Sequence, residues 1–285
     1  MISRRVFIRS AAGSVVLAQS RRRANADAPF LFGLTPVFLT SDLVLLEALQ
    51  SYLARAIGAE VRLVLKRTYQ EITSQLVAGQ IDAAWICGYP FVAFQSQLAL
   101  IAVPVWRGSN TYQSYLISSS GRDASGIYDL KGDAHAFSDP DSNSGYLVTQ
   151  ALLAERRLKA ENFFSRTFFT YGHRNVVRAV ASGLAQSGSV DGYVWEVMTE
   201  TEPELTRRTR VIWKSEWMGF PPVATSNAYT ALPRIERLSN ALLGMGQDET
   251  GRRVLSLLRL DGFQKAEPAL FSSIAARIEL IRRDG

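Results

Sequence analysis

The sequence predicts an α/β protein of two lobes, each a mainly parallel sheet flanked by helices, joined by two crossings of the chain. Three observations predict it. The 285 residues exceed the roughly 150 of a typical single domain. From Phe30 onward short apolar runs alternate with amphipathic helical patterns, as strands connected by helices on both faces of a sheet require. A hydrophobic content of 47% can fill two cores, and Cys87, the one cysteine, leaves stability to packing and excludes multi-cysteine metal sites.

Residues 1–26 read as a twin-arginine-type export signal. Ser3-Arg4-Arg5-Val6-Phe7-Ile8-Arg9 is followed by a weakly apolar stretch from Ala11 to Ala18 and by Ala24-Asn25-Ala26, a small-x-small cleavage pattern. The apolar stretch falls far below the roughly 20 residues that span a bilayer, and no later run reaches that length, so the chain is expected to be periplasmic and not membrane-spanning. The formal charge of +6 belongs to this segment: Arg4, Arg5, Arg9 and Arg21 to Arg23 all precede the first acidic residue, Asp27. Without those 6, the 32 basic residues fall to 26, equal to the 26 acidic ones. A near-neutral mature chain lacks the electrostatic footprint of a nucleic-acid binder.

The first lobe is expected over residues 27–114. Phe30–Leu34 is its first strand. Leu45, Leu46, Leu49, Tyr52, Leu53 and Ile57 make one face of a helix that Gly58 ends, and Val61–Leu65 is the next strand. A helix from about Gln70 to Ala78 precedes a strand at Asp82–Ile86, which runs into a turn at Cys87-Gly88-Tyr89-Pro90. Leu98–Val105 is a further strand. The second lobe, 115–215, repeats the scheme with strands at Tyr115–Ser118, Ala134–Ser138, Arg166–Thr170 and Val190–Val194 and with helices starting near Gly145, His173 and Trp195. Residues 216–285 return through Val223-Ala224-Thr225 to three helical patterns without intervening strands, expected to pack on the first lobe. The crossings near Gln113–Ser118 and Trp213–Ala224 are expected to act as hinges.

The sharpest local signal is Ser138-Asp139-Pro140-Asp141-Ser142-Asn143-Ser144-Gly145-Tyr146, a hydroxyl-rich stretch between a strand and a helix. The free N–H groups and partial positive charge of a helix start attract an anion, and Ser142 and Ser144 add neutral donors. Asp141 or Ser142 could equally serve only to cap the helix.

This run resembles the phosphate/phosphonate-type periplasmic binding proteins, the PhnD-like family. Further landmarks fall in the same order: Leu34-Thr35-Pro36, Tyr69 opening a helix that ends in Ala78-Gly79-Gln80-Ile81-Asp82, Ala83-Ala84-Trp85, His173 before Val176, Val177 and Val180, and Val190-Asp191-Gly192. The resemblance covers roughly Phe30 to Thr225 and rests on the order of the motifs. It implies a type II periplasmic binding protein fold and capture of a small oxyanion (phosphate, phosphite, phosphonate or arsenite) in the cleft between the lobes. Oxyanion donors are implied at Ser142, Asn143, Ser144 and His173. Thr40, Tyr69 and the turn residues Cys87, Gly88 and Tyr89 are implied to approach from the first lobe. Asp191 would suit the amine of an aminophosphonate, and Trp195, with Tyr193, would narrow the pocket to a compact ligand or simply pack its floor. The implied partner is an ABC transporter permease; the alternative is the periplasmic domain of a sensor histidine kinase, as in a branch that looks like an arsenite sensor and uses a cysteine. Cys87 fits that branch, or else a small buried hydrophobe. A thiolate there would need electropositive surroundings, which His173 or a helix start could supply.

A monomer without a cofactor is expected, and binding rather than catalysis. The enzymes that resemble these proteins, thiamine-pyrimidine synthases, use a cysteine-rich segment with a lysine and a histidine. No Ser/His/Asp set, metal triad or phosphate-cradling glycine loop stands out in this chain. A redox or assembly role centred on Cys87 is the third reading.

Overall fold

The first strand, β1 (Phe30–Leu34), buries all its residues but Leu31, as a strand covered on both faces must. In the computed structural model, which describes residues 28–36 and 43–284, the export segment, its cleavage site and Thr40 lie outside the described residues. Helix α1 (Leu43–Ile57) turns Leu45, Leu49, Tyr52, Leu53 and Ile57 to the sheet at helical spacing. β2 (Val61–Leu65) lies parallel to β1. α2 (Tyr69–Val77) opens on a capping box: Thr68 Oγ1 accepts from Glu71 N, and the Glu71 carboxylate accepts from Thr68 N. That box fixes Tyr69 as the first helical residue. β3 (Ala83–Trp85) pairs with the other side of β1.

The segment expected to be a turn after Trp85 is a short helix, α3 (Gly88–Ala93), with Cys87 as its N-cap residue. Pro90 is tolerated because a first-turn N–H has no intrahelical acceptor. β4 (Leu98–Val105) then leads out of the lobe, and β5 (Thr111–Tyr112) lies on the crossing.

The second lobe holds β6 (Ser114–Ser119), β7 (Ala134–Phe137), α4 (Val148–Ala154), α5 (Ala160–Phe163), β8 (Arg166–Phe169), α6 (His173–Ala181), β9 (Ser187–Asp191), α7 (Gly192–Thr201), α8 (Pro203–Thr206) and β10 (Thr209–Lys214). A π-helical turn over Asn143–Leu147 leads into α4. The chain returns through β11 (Met218–Gly219), which pairs with β5 as a two-stranded hinge ribbon, to β12 (Val223–Ser226) in the first sheet. α9 (Pro233–Leu243), α10 (Glu249–Leu258), β13 (Gly262–Gln264) and α11 (Ser272–Asp284) complete the described chain.

The sheets run β13-β4-β12-β3-β1-β2 and β10-β6-β9-β7-β8. They are mixed, not mainly parallel: β1, β2 and β3 are parallel, whereas β4, β12 and β13 join antiparallel, and β6 and β10 do the same in the second lobe. β6 and β12, the strands entered from the crossings, arrive without the helical crossover that makes neighbours parallel, and β12 inserts antiparallel between β3 and β4. β9 also begins three residues earlier than the apolar run suggests. Ser187 and Ser189 are buried because His135 lies between their hydroxyls, Nδ1 and Nε2 each 2.8 Å from one of them. Burial pushes the His135 pKa down to about 3, so the imidazole is neutral.

The C-terminal region departs from expectation twice. β13 intervenes between α10 and α11 and pairs with β4. α11 packs on α3 of the first lobe and also on α4 of the second, with Ile274 wholly buried. Among the described residues no helix is long and apolar enough to cross a membrane.

Candidate ligand site between the lobes

Ser138-Asp139-Pro140-Asp141 leaves β7 and folds back on itself. Ser142 N donates to Asp139 O at 3.0 Å, Ser138 N to Gly145 O at 3.1 Å, and Asp141 N to Asp139 Oδ1 at 2.8 Å. Ser142 does cap the helix, accepting Gly145 N on its Oγ at 3.0 Å. Gly145 is required by close approach: a Cβ there would stand 1.9 Å from Ser138 Oγ and 2.9 Å from His173 Cε1. The π-helical turn carries one residue more than an α-turn, a feature common at functional sites.

The buried side chains that meet here come from both lobes and from the hinge ribbon. Tyr69 N donates to Asp139 Oδ2 at 3.2 Å, and Asn143 N to Cys87 Sγ at 3.2 Å. Asn143 Nδ2 donates to the Tyr112 hydroxyl at 2.9 Å and lies 3.4 Å from Met218 Sδ. Asp191 N donates to His173 Nδ1 at 3.1 Å, which leaves that nitrogen unprotonated and puts the ring proton on Nε2, 3.3 Å from the Tyr69 hydroxyl. Burial pushes the His173 pKa down to about 3, so His173 offers a neutral donor and not a positive charge.

Asp191 caps α7, accepting Val194 N at 3.2 Å, and its buried carboxyl is pushed up to about 7 by loss of solvent. The Ser144 hydroxyl lies close enough to Asp191 and Tyr112 to lower both their pKa values, yet reaches hydrogen-bonding geometry with neither. Ser138 Oγ, Asn143 Oδ1 and Ser144 Oγ are all buried without a hydrogen-bond partner. Buried polar groups are almost always paired, so three orphans on one seven-residue stretch make it the candidate ligand site.

Tyr69, Cys87, Ser142, Asn143, Ser144, His173 and Asp191 are thus brought to one seam. The others are not. Trp195 lies one turn beyond Asp191, donates Nε1 to Thr209 Oγ1 at 3.1 Å and packs edge-on against Tyr115, so it braces β10 and β6. Gly88 faces α11, where a Cβ would meet Ile274 Cδ1 at 2.7 Å. Tyr89 is half-buried near Asp141 and Tyr146, beside the cluster. Cys87 lacks the electropositive setting a thiolate needs: loss of solvent pushes its pKa up to about 12, and the thiol stays protonated at pH 7. Farther out, the Arg67 guanidinium lies 5.2 Å from the Tyr171 ring centroid, a cation–π contact between the lobes.

The sequence reading missed Ser138, Asp139, Tyr112 and Met218. Asp139 carried a signal, since an Asp two residues before another backbone N–H readily forms such a turn. Tyr112 and Met218 carried none; the pairing of two distant crossings delivers them.

The family described as the periplasmic substrate-binding protein of phosphonate ABC transporters matches residues 32–271. The chain is 26% identical over 190 residues to the phosphate-import protein PhnD of Mycolicibacterium smegmatis, covering 62% of this chain and 59% of that relative's length. It has the fold of a binding protein component of an ABC phosphonate transporter from Pseudomonas aeruginosa (TM-score 0.82, 22% identity, 90% of this chain and 88% of that one). The same holds for PhnD1 of Prochlorococcus marinus, solved in complex with methylphosphonate (TM-score 0.79, 16% identity, 89% and 98%). These neighbours establish a two-lobed periplasmic binding protein fold, and with the match over residues 32–271 the chain belongs to the periplasmic phosphonate-binding family of ABC transporter proteins.

Proposed function

We propose that this chain is exported to the periplasm, captures a small phosphorus oxyanion between its lobes as a monomer, and delivers it to an ABC transporter permease. The observation that carries the reading is the set of orphaned polar atoms on Ser138, Asn143 and Ser144, buried at a seam to which both lobes contribute. An oxyanion accepts from the Ser138 and Ser144 hydroxyls at a helix start, where the macrodipole favours negative charge. His173 Nε2–H and the Tyr69 hydroxyl add neutral donors. The side chains named here include no ammonium or guanidinium, and the Asp191 carboxyl is held near neutrality. That balance suits a guest that keeps its own proton, such as hydrogen phosphate, hydrogen phosphite or a phosphonate monoanion. The amine of an aminophosphonate is a further candidate for Asp191.

Family membership and the phosphate-import role of the M. smegmatis relative favour delivery to a permease over signalling to a kinase. The protonated Cys87 thiol, engaged with Asn143 N, weighs against arsenite capture. Calorimetric titration with phosphate, phosphite, methylphosphonate and arsenite tests the reading. Saturable binding of at least one phosphorus oxyanion at one site per chain is expected; binding of arsenite alone, or of none, overturns it.

A further inference from the structure

We infer that Ser114 is a positioning residue that ties the hinge to the ligand helix. The inference rests on reading the Asn143–Leu147 turn as that helix's start. Ser114 is where the outgoing crossing enters the second lobe, and its hydroxyl donates to Ser144 O at 2.6 Å. Ser114 N donates to Ser215 Oγ at 2.9 Å, and Ser215 N returns a bond to Ser114 O at 2.9 Å, so the returning crossing is held at the same point. Gln113 completes the knot: its side chain donates to Ser215 O, and its carbonyl accepts Gly192 N, next to Asp191, at 2.9 Å. Gly192 is required here, because a Cβ would stand 2.7 Å from Gln113 O. Ser114 and Ser215 are buried. On the far side, Ser215 Oγ donates to Glu216 O at 2.7 Å, and the Glu216 carboxylate pairs with Arg277 of α11.

Both crossings, the residue after Asp191 and the carbonyl of Ser144 therefore form one hydrogen-bonded unit. Opening the lobes changes backbone angles in the β5–β11 ribbon, and the first rigid contact beyond it is this unit. Rotation there pulls on Ser144, whose hydroxyl is one of the orphans. By reciprocity, a ligand that fixes Ser144 favours the hinge geometry of the shut form.

Hydrogen exchange read by mass spectrometry tests this on the ligand-free chain. Ser114→Ala is expected to speed exchange over residues 142–149 about tenfold, through the loss of a buried bond, while β7 and β8 keep wild-type rates. Ser114→Thr, which retains the hydroxyl, is expected to stay near wild type, and Ser215→Ala to reproduce the local pattern if Ser114→Ala does not fold. With phosphate or methylphosphonate as probe, dissociation from Ser114→Ala is expected to be about tenfold faster, with association within about twofold. Unchanged exchange over 142–149, or acceleration spread evenly through the second lobe, overturns the inference. A wild-type chain that binds neither probe, nor phosphite, overturns the proposed function instead, and the exchange result then decides the coupling by itself.

Discussion

The two sides of the seam are built differently. The second lobe presents hydroxyls, amides, an imidazole and the carboxyls of Asp139 and Asp191, all buried, with three polar atoms unpartnered. The first lobe presents Tyr69, Cys87 and the end of a fully buried strand, and its polar contacts across the seam run through one backbone N–H, one phenol and one thiol. Polar groups whose orientation is fixed by caps and strands can grip a ligand before closure. A smooth apolar wall with few donors excludes water once the lobes meet, which strengthens each bond inside. On the proposed function, the second lobe recognises and the first seals.

The largest effect that could break this division is expected from Ser138→Ala combined with Ser144→Ala, which removes both orphaned hydroxyls. Each lost donor in a desolvated site costs about 1–3 kcal/mol, so the pair should weaken oxyanion binding by about a hundredfold or more in calorimetry. Undiminished affinity would move recognition elsewhere. Next is a pH effect on stability. The folded pKa of Asp191 is raised to about 7, above the unfolded value near 3.8, so its contribution is fully present below pH 4 and is lost as pH rises through 7. Asp191→Asn keeps an N-cap and removes the titration; its Tm should exceed that of the wild type by several degrees at pH 8, with the gap closing toward pH 5.

A smaller change is expected from Tyr69→Phe, which deletes the first lobe's phenol but keeps its packing. Loss of one bond of about 1 kcal/mol should weaken binding roughly fivefold, mostly through faster dissociation, as stopped-flow measurement would show. An effect as large as that of the serine pair would mean the first lobe recognises too. Smallest is Cys87→Ser. Because the thiol is protonated and its sulfur accepts from the backbone N–H groups of Asn143 and Tyr89, phosphate affinity should change by less than about twofold, and thiol labelling of the wild type should slow when ligand is bound.

Much of the fold was legible from periodicity. β1, β2 and β4 fall at the expected residues because strands of a covered sheet read as short apolar runs, and α1 buries nearly the expected face because burial on one side imposes a period of 3.6 on a helix. β9 was misplaced because its buried serines look like surface residues until His135 stands between them. β13 and the mixed order of the sheets were hidden because pairing direction depends on which distant strand arrives next, and no local pattern records that. Within the site, Ser142, Ser144, His173 and Asp191 were marked by their positions at element ends, and the Tyr69 helix start by its place in the motif order. That Trp195 braces β10 was not legible because its partner Thr209 stands 14 residues on and is brought back to it only by α8 and the return into β10.

What the chain determined locally, then, is where donors cluster and which elements hold them: caps, helix starts and apolar periodicity are set by neighbours a few residues apart. Only the tertiary structure decided that Cys87 meets Asn143, that Tyr112 and Met218 reach the same cluster, and that Ser114 and Ser215 knot the hinge to Ser144. Those contacts join residues 30 to 101 positions apart, and such pairings follow from how two lobes and a ribbon close on each other, a geometry that no short stretch of sequence contains.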